Sequence, residues 1–324
     1  MAKTAEEVPA TIYQCRPEEF GSKQFRYSAA AGFMQAFLAR NEGLDFKGLA
    51  TEAAVFEKAG LPFLEPEVRE AAWALDRQFD RLVETSDIRG IVHAHSTWSD
   101  GLQSLREMAE HAHKLGYAYL GITDHSKSAF YANGLKEDRV LAQWAEIDGL
   151  NRELAPFRIF KGIESDILND GSLDYPDEIL AGFEFIVASV HSNLRMDEEK
   201  ATQRLLSAIE NKYTTILGHP TGRLLLSRAG YPIDHRKIID ACAANGVCIE
   251  LNANPHRLDL DWAWIPYALE KNVLVSINPD SHSTGGMKDI RYGVYAARKG
   301  GLSAKDCLTC MELADFEAFI SSKK

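Results

Sequence analysis

Cysteine is scarce in this chain of 324 residues: there are five, an odd number, widely scattered. They do not make a disulfide framework. The only C-x-x-C, Cys307 to Cys310, lies among Leu308, Met311, Leu313, Phe316 and Phe319, a spacing that reads as helical. With no second pair and no βαβ context, both thiols are expected in the core, not on zinc or in a redox couple. Long apolar runs are also missing. None approaches the roughly 18 residues of a membrane span, and Met1-Ala2-Lys3-Thr4-Ala5-Glu6-Glu7 has no apolar signal region. A cytoplasmic protein without membrane contact is expected. Basic residues are outnumbered 36 to 47, and the net charge of −11 weighs against broad nonspecific binding to nucleic acid. It does not exclude a local site where bound cations draw in phosphate. Internal repeats, low-complexity linkers, Gly-rich phosphate loops and nucleophile elbows are absent.

What the chain has is a 45% apolar content and a length that fits one large barrel or two domains at roughly 150 residues each. Up to about Glu84 the pattern is helical. Ser22 is placed to cap a helix through Phe25, Ala29, Phe33 and Phe37 that stops near Asn41. Thr51 begins a short helix ending at Gly60, and Pro66 suits the first turn of a third, with Val68, Leu75, Phe79 and Leu82 on one face. After Asp87 strands alternate with helices. The expected strands are Gly90–His95, Ala118–Thr123, Phe157–Gly162, Phe185–Val190, Thr214–Gly218, Val247–Leu251 and Val273–Asn278. Seven short buried strands with helices between them predict a parallel α/β barrel, whose functional residues collect at the C-terminal strand ends.

Ligand-type residues sit at those ends. His93 and His95 are two apart on a strand and so face one side, with Asp100 close behind. His125, Glu164, His191 and His219 each close or follow an apolar run, and Asp280 and His282 follow the last one. A single buried histidine is usually a hydrogen-bonded core residue. His111 and His113 on an amphipathic helix, and His235 at a helix start, are read as surface, packing or first-turn residues. Six histidines and three carboxylates at strand ends are a different matter. Imidazole and carboxylate donors favour zinc, iron or manganese, and nine ligands suit two or three ions with a carboxylate such as Glu164 or Asp280 bridging. Arg223 and Arg257, each just beyond a strand, are candidate phosphate forks or structural salt bridges in equal measure. Asn252 and Asn254 line the pocket or satisfy loop backbone.

The successive motifs His93-x-His95-x-x-x-Ser99-Asp100-Gly101, Thr123-Asp124-His125-Ser126, Glu164, Ser189-Val190-His191-Ser192, Gly218-His219-Pro220 and Asp280-x-His282 resemble those of the PHP (polymerase and histidinol phosphatase) domain. All nine positions that bind metal in that family carry a ligand-type residue here. The resemblance implies a distorted seven-stranded (β/α) TIM-like barrel holding up to three metals and hydrolysing phosphoesters. The stretches Asp170–Glu178, Gly222–Leu225 and Asn252–Trp262 further resemble the C-terminal part of bacterial family X DNA polymerases. Phe20–Lys23 and Leu61–Glu70 resemble the end of that polymerase core and its connector. Pro279 and Ser281 stand where the family more often has Thr and Ala.

The expected organisation is therefore a helical region, residues 1–88, followed by a phosphoesterase barrel, residues 89–324. No carboxylate pair for nucleotide transfer is visible in 1–88, so polymerisation is not expected. The resemblance points to a 3′–5′ exonuclease or DNA-end phosphoesterase acting on DNA 3′ ends, with residues 1–88 available to a polymerase or repair partner. A small-molecule phosphatase of the histidinol phosphatase type, or a metal-stabilised partner-binding scaffold, fits the same metal pattern.

Overall fold

The computed structural model describes residues 2–4 and 7–323; Met1, Ala5, Glu6 and Lys324 lie outside the described residues. Two compact units result, Met1–Phe79 and Asp80–Lys324, so residues 80–88 belong to the second.

The first unit opens with a two-residue antiparallel pair, β1 (Ala2–Lys3) and β2 (Pro9–Ala10). The single helix expected from Ser22 to Asn41 is instead two, α1 (Phe20–Ser28) and α2 (Ala31–Arg40), parted by extended backbone at Ala29 and Ala30. The break lets Phe25 from one and Phe33 and Phe37 from the other meet edge and face, with centroids 4.8–6.3 Å apart. Helix α3 (Glu52–Ala59) has the limits marked in the sequence: Thr51 accepts a bond from the Ala54 amide, and Gly60 ends the helix at φ 67°. The expected third helix does not form. Pro66–Val68 and Ala72–Asp76 are short 3-10 turns, and the buried Arg69 between them explains the interruption. Its guanidinium meets Glu52 at 2.5 Å and donates to Ser28 and to the Leu64 carbonyl. The rings of Phe25, Phe56 and Phe63 surround it at 5.1–5.4 Å.

In the second unit seven parallel strands run in sequence order, β3 (Gly90–Ile91), β4 (Tyr119–Ile122), β5 (Arg158–Asp166), β6 (Phe185–Ser189), β7 (Ile216–Leu217), β8 (Cys248–Asn252) and β9 (Val275–Asn278). Helices α4 (Leu105–Lys114), α5 (Glu137–Glu153), α7 (Glu198–Ile209), α8 (His235–Asn245) and α10 (Ile290–Lys299) follow individual strands. The short α6 (Asp177–Leu180) and α9 (Ile265–Glu270) fill two further connections, and α11 (Leu313–Ser321) ends the chain. This is the expected α/β TIM-like barrel, nearly closed.

No regular ladder joins β3 to β9. A seam does: the Val92 amide donates to the Asn278 side chain at 3.0 Å, and the His95 amide to the Ser281 carbonyl at 2.9 Å. The pairing of β3 is accordingly shorter than expected, because side-chain acceptors such as Thr123, bonded by the Ala94 amide, replace ladder partners. Strand β5 is longer than expected. Glu164, Ser165 and Asp166 pair with Val187, Ala188 and Ser189, so Glu164 is inside a strand and not just past its end.

Candidate metal centre

All nine strand-end residues converge at the C-terminal mouth of the barrel. The period-two logic holds for His93 and His95, whose rings lie 5.4 Å apart on one face. Glu164 is the hub. Its two oxygens lie 3.3 Å from His93 Nε2, 3.5 Å from His95 Nε2, 3.0 Å from His125 Nδ1, 3.1 Å from His191 Nε2 and 2.9 Å from His219 Nε2. Asp280 lies 3.1 Å from His95 and 3.5 Å from His93, on a backbone at φ 52°. That left-handed conformation is uncommon outside glycine and better tolerated by Asp than by most residues, and it turns the carboxylate back toward the seam. Asp100 stands at the outer edge, 3.4 Å from His282 and 3.7 Å from His125.

Three groups have donor atoms lying within 4.8 Å of one another: His95, Asp100, His125 and His282; His93, His95 and Asp280; His125, Glu164 and His191. His95 and His125 each belong to two of them. His219 joins through Glu164 and a ring contact of 6.0 Å with His93.

Behind these residues is a layer the sequence reading did not single out. Glu250, wholly buried on β8, lies 2.6 Å from His93 Nδ1 and accepts from the His219 amide at 2.8 Å and from Asn278 at 3.2 Å. Asp166 lies 2.5 Å from His191 Nδ1. The Asp280 carbonyl takes His282 Nδ1 at 3.0 Å. Each Nδ1–H is thereby held outward, which fixes the tautomer and aims Nε2 at the centre. Asn252 is also drawn in, donating to Asp280 at 3.1 Å while accepting from the Asn254 amide.

Burial opposes charge throughout, yet Glu164 and Asp280 are held well below the usual carboxylate range by the imidazoles around them. Asp100, also against burial, is lowered to about 2, with His282, His125 and His95 as the cause. Burial likewise resists protonation of His191, but Glu164 and Asp166 raise it to about 10; burial of His125 wins, and its ring falls to about 3. A centre of ionised carboxylates leaves several buried atoms without a hydrogen-bond partner: His93 Nε2, His95 Nδ1, His125 Nδ1, Glu164 Oε2 and His219 Nδ1. Buried polar atoms seldom remain so, and inward-facing imidazole nitrogen and carboxylate oxygen are donors for divalent cations of the zinc, manganese or iron type. The residues present fit such ions.

The two arginines part company. Arg223 is engaged by Asp261 at 2.8 Å and by the carbonyls of Arg257 and Leu258, which makes it a structural tie. Arg257 reaches the centre, its Nε 3.6 Å from Asp280.

Fold and site together define a parallel α/β barrel with an imidazole–carboxylate centre set in its mouth. Residues 92–254 match the PHP domain, and the chain belongs to that family. It is 44% identical over 278 residues, 85% of its length, to the DNA polymerase/3'-5' exonuclease PolX of Bacillus subtilis (strain 168), of which it spans about half, 49%. It is 25% identical over 72% of its length to a probable phosphatase of Thermoanaerobacter sp. (strain X514), covering 91% of that protein. A solved histidinol phosphate phosphatase from Lactococcus lactis subsp. lactis Il1403 aligns with TM-score 0.49 and 17% identity, over 66% of this chain and 94% of that one.

Proposed function

We propose that this metal-dependent phosphoester hydrolase works at DNA 3′ ends, as a 3′–5′ exonuclease or a related end-processing activity. The observation that carries the reading is the cluster of three interlocking donor groups built around Glu164, His95 and His125. We assign His93, His95, Asp100, His125, Glu164, His191, His219, Asp280 and His282 as ligands of two or three divalent ions. Such ions generate a strong nucleophile from water near neutral pH and neutralise charge on the oxygens of an in-line displacement.

The chain's own residues do the rest. Glu250 and Asp166 hold the imidazoles in register. Arg257, beside Asp280, is placed to meet a phosphoryl oxygen with a charge-assisted hydrogen bond. The exposed Asp100 and half-buried His282 mark the side from which substrate enters, while His93, His95, Glu164 and His219 lie beneath. The DNA assignment is supported by the long identity with the Bacillus relative. Manganese-loaded protein assayed side by side on a 3′-ended oligonucleotide and on histidinol phosphate tests it. Release of 3′-terminal nucleotides is the expected outcome; turnover of histidinol phosphate with the oligonucleotide untouched would overturn it in favour of a small-molecule phosphatase.

A further inference from the structure

Large apolar side chains on the surface of the barrel unit are unevenly placed. Of its eight exposed ones among the described residues, five (Leu102, Phe130, Tyr131, Leu225 and Leu226) stand on loops that follow strand ends at the mouth. Phe130 and Tyr131 are adjacent and exposed by 84% and 71%. Single exposed apolar residues need no explanation, but paired aromatic rings beside a reaction centre do. The Tyr131 ring lies 6.3 Å from the His125 ring, at the edge of the metal cluster.

The segment that carries them is braced. Its ends are pinned where the Leu135 amide donates to the His125 carbonyl at 2.8 Å. Gly134 passes so close to Ser126 that a Cβ would fall 1.9 Å from its carbonyl oxygen. Asn133, at φ 54°, donates to the carbonyls of Trp98 and Ser99. Arg139 holds the Asn133 carbonyl at 2.8 Å. At the base, Ser128 donates its hydroxyl to Asp166 at 2.8 Å, the same carboxylate that orients His191. The position of the aromatic tip is therefore tied to the position of a candidate metal ligand. A braced loop that holds two rings in water, next to the centre, is preorganised for a flat apolar ligand.

We propose that Phe130 and Tyr131 form a stacking platform for nucleobases at the 3′ end of a nucleic-acid strand, and that they set the strand's affinity without reading its sequence. The proposal rests on the DNA reading above. Every base has a π face, so such a platform is indifferent to sequence, and stacking contributes binding that does not depend on basic residues, which acidic ones outnumber here 47 to 36. Because the contact is made equally before and during reaction, it acts on KM and leaves kcat in place.

The test uses the full manganese-loaded chain, with metal content and melting temperature checked for each variant. Substrates are a single-stranded oligonucleotide, the same oligonucleotide made abasic at its 3′-terminal nucleotides, and an aliphatic phosphomonoester. Tyr131→Ala and Phe130→Ala are expected to raise KM on the normal strand roughly 5- to 150-fold, the range of one lost base–aromatic stack. On the abasic strand, which has nothing to stack, the same substitutions should shift KM by less than about twofold. Tyr131→Phe should behave as the parent. Equal losses on both strands, or no loss on either, overturn the platform while leaving the DNA reading intact. Turnover of the phosphomonoester with neither strand cleaved by the parent overturns the DNA reading, and the platform with it.

Discussion

Glu250→Gln replaces one oxygen of a wholly buried carboxylate with an isosteric NH2 and removes its charge. Every group around Glu250 is a donor: His93 Nδ1 at 2.6 Å and Asn278 at 3.2 Å on Oε1, the His219 amide at 2.8 Å and Asn252 at 3.4 Å on Oε2. An amide therefore meets donors whichever way it is turned. If its NH2 faces His93, the imidazole proton must move to Nε2, the atom aimed at Glu164 and Asp280. If its NH2 faces His219, two N–H groups oppose each other in a dry interior. Losing a hydrogen bond to a charged group costs about 1.5–3 kcal/mol. Loss of the partner that orients a metal-ligating imidazole typically weakens metal affinity or activity 10- to 100-fold, about 1.4–2.7 kcal/mol. The two routes to the magnitude agree. Manganese affinity measured by competition with a chromophoric chelator should fall by that factor, with the variant still folded by circular dichroism. Parent-like affinity and turnover in a folded Glu250→Gln protein would refute the idea that Glu250 sets the His93 tautomer.

The hub itself can be removed. Glu164→Ala should lose at least one metal equivalent by elemental analysis and abolish phosphoester hydrolysis, whereas full metal content with near-normal turnover would move the centre elsewhere. Arg257→Ala should keep its metals and weaken substrate binding by about 1.5–3 kcal/mol if a charge-assisted hydrogen bond is lost. Arg223→Ala should leave KM alone, and a KM rise as large as that of Arg257→Ala would contradict the division of roles. In the first unit, Arg69→Met strands the buried Glu52 carboxylate and should cost about 3–5 kcal/mol in denaturant unfolding, with much of the loss recovered in the double variant Arg69→Met/Glu52→Gln. An unchanged midpoint for the single variant would show that the ion pair is not what secures that unit.

The barrel and the nine-residue cluster were legible in the sequence because both are written locally. Strand–helix alternation and the two-residue spacing of His93 and His95 need no knowledge of distant partners. Most of the ligand-type residues also carry their own punctuation, an apolar run giving out. The supporting layer is written non-locally. Glu250 stands 157 positions from the His93 it holds, and only its place inside the apolar run Val247–Leu251 hinted at a role. A carboxylate in a strand buried on both faces must have a partner, though nothing nearby says which. Asp166 was missed for a related reason: β5 was expected to end at Gly162, whereas parallel pairing with Val187–Ser189 of β6 carries polar residues in strand geometry as far as Asp166. The first unit misled in the opposite direction. Periodicity after Pro66 suggests a helix, but Arg69 is buried by bonds to the nearby Leu64 carbonyl and to the distant Ser28 and Glu52, and the distant pair overrides local spacing.

The seam between β3 and β9 has a consequence for how this barrel can vary. Around most of the sheet closure and chemistry are separate duties, Glu164 within the β5 ladder being the exception, so most ladder residues can change without disturbing a donor atom. At the seam they are one duty. Val92 and His95 are held to Asn278 and Ser281, and the same short segments carry His93, His95, Asp280 and His282. A substitution that loosens the join displaces the donor set, and a cation held by that set would draw the join shut. The seam would then be a clasp fastened by its own cargo. Substitutions along this line, at Pro279 and Ser281 included, should therefore lower metal content more than substitutions on the far side of the barrel, which elemental analysis of the variants would check.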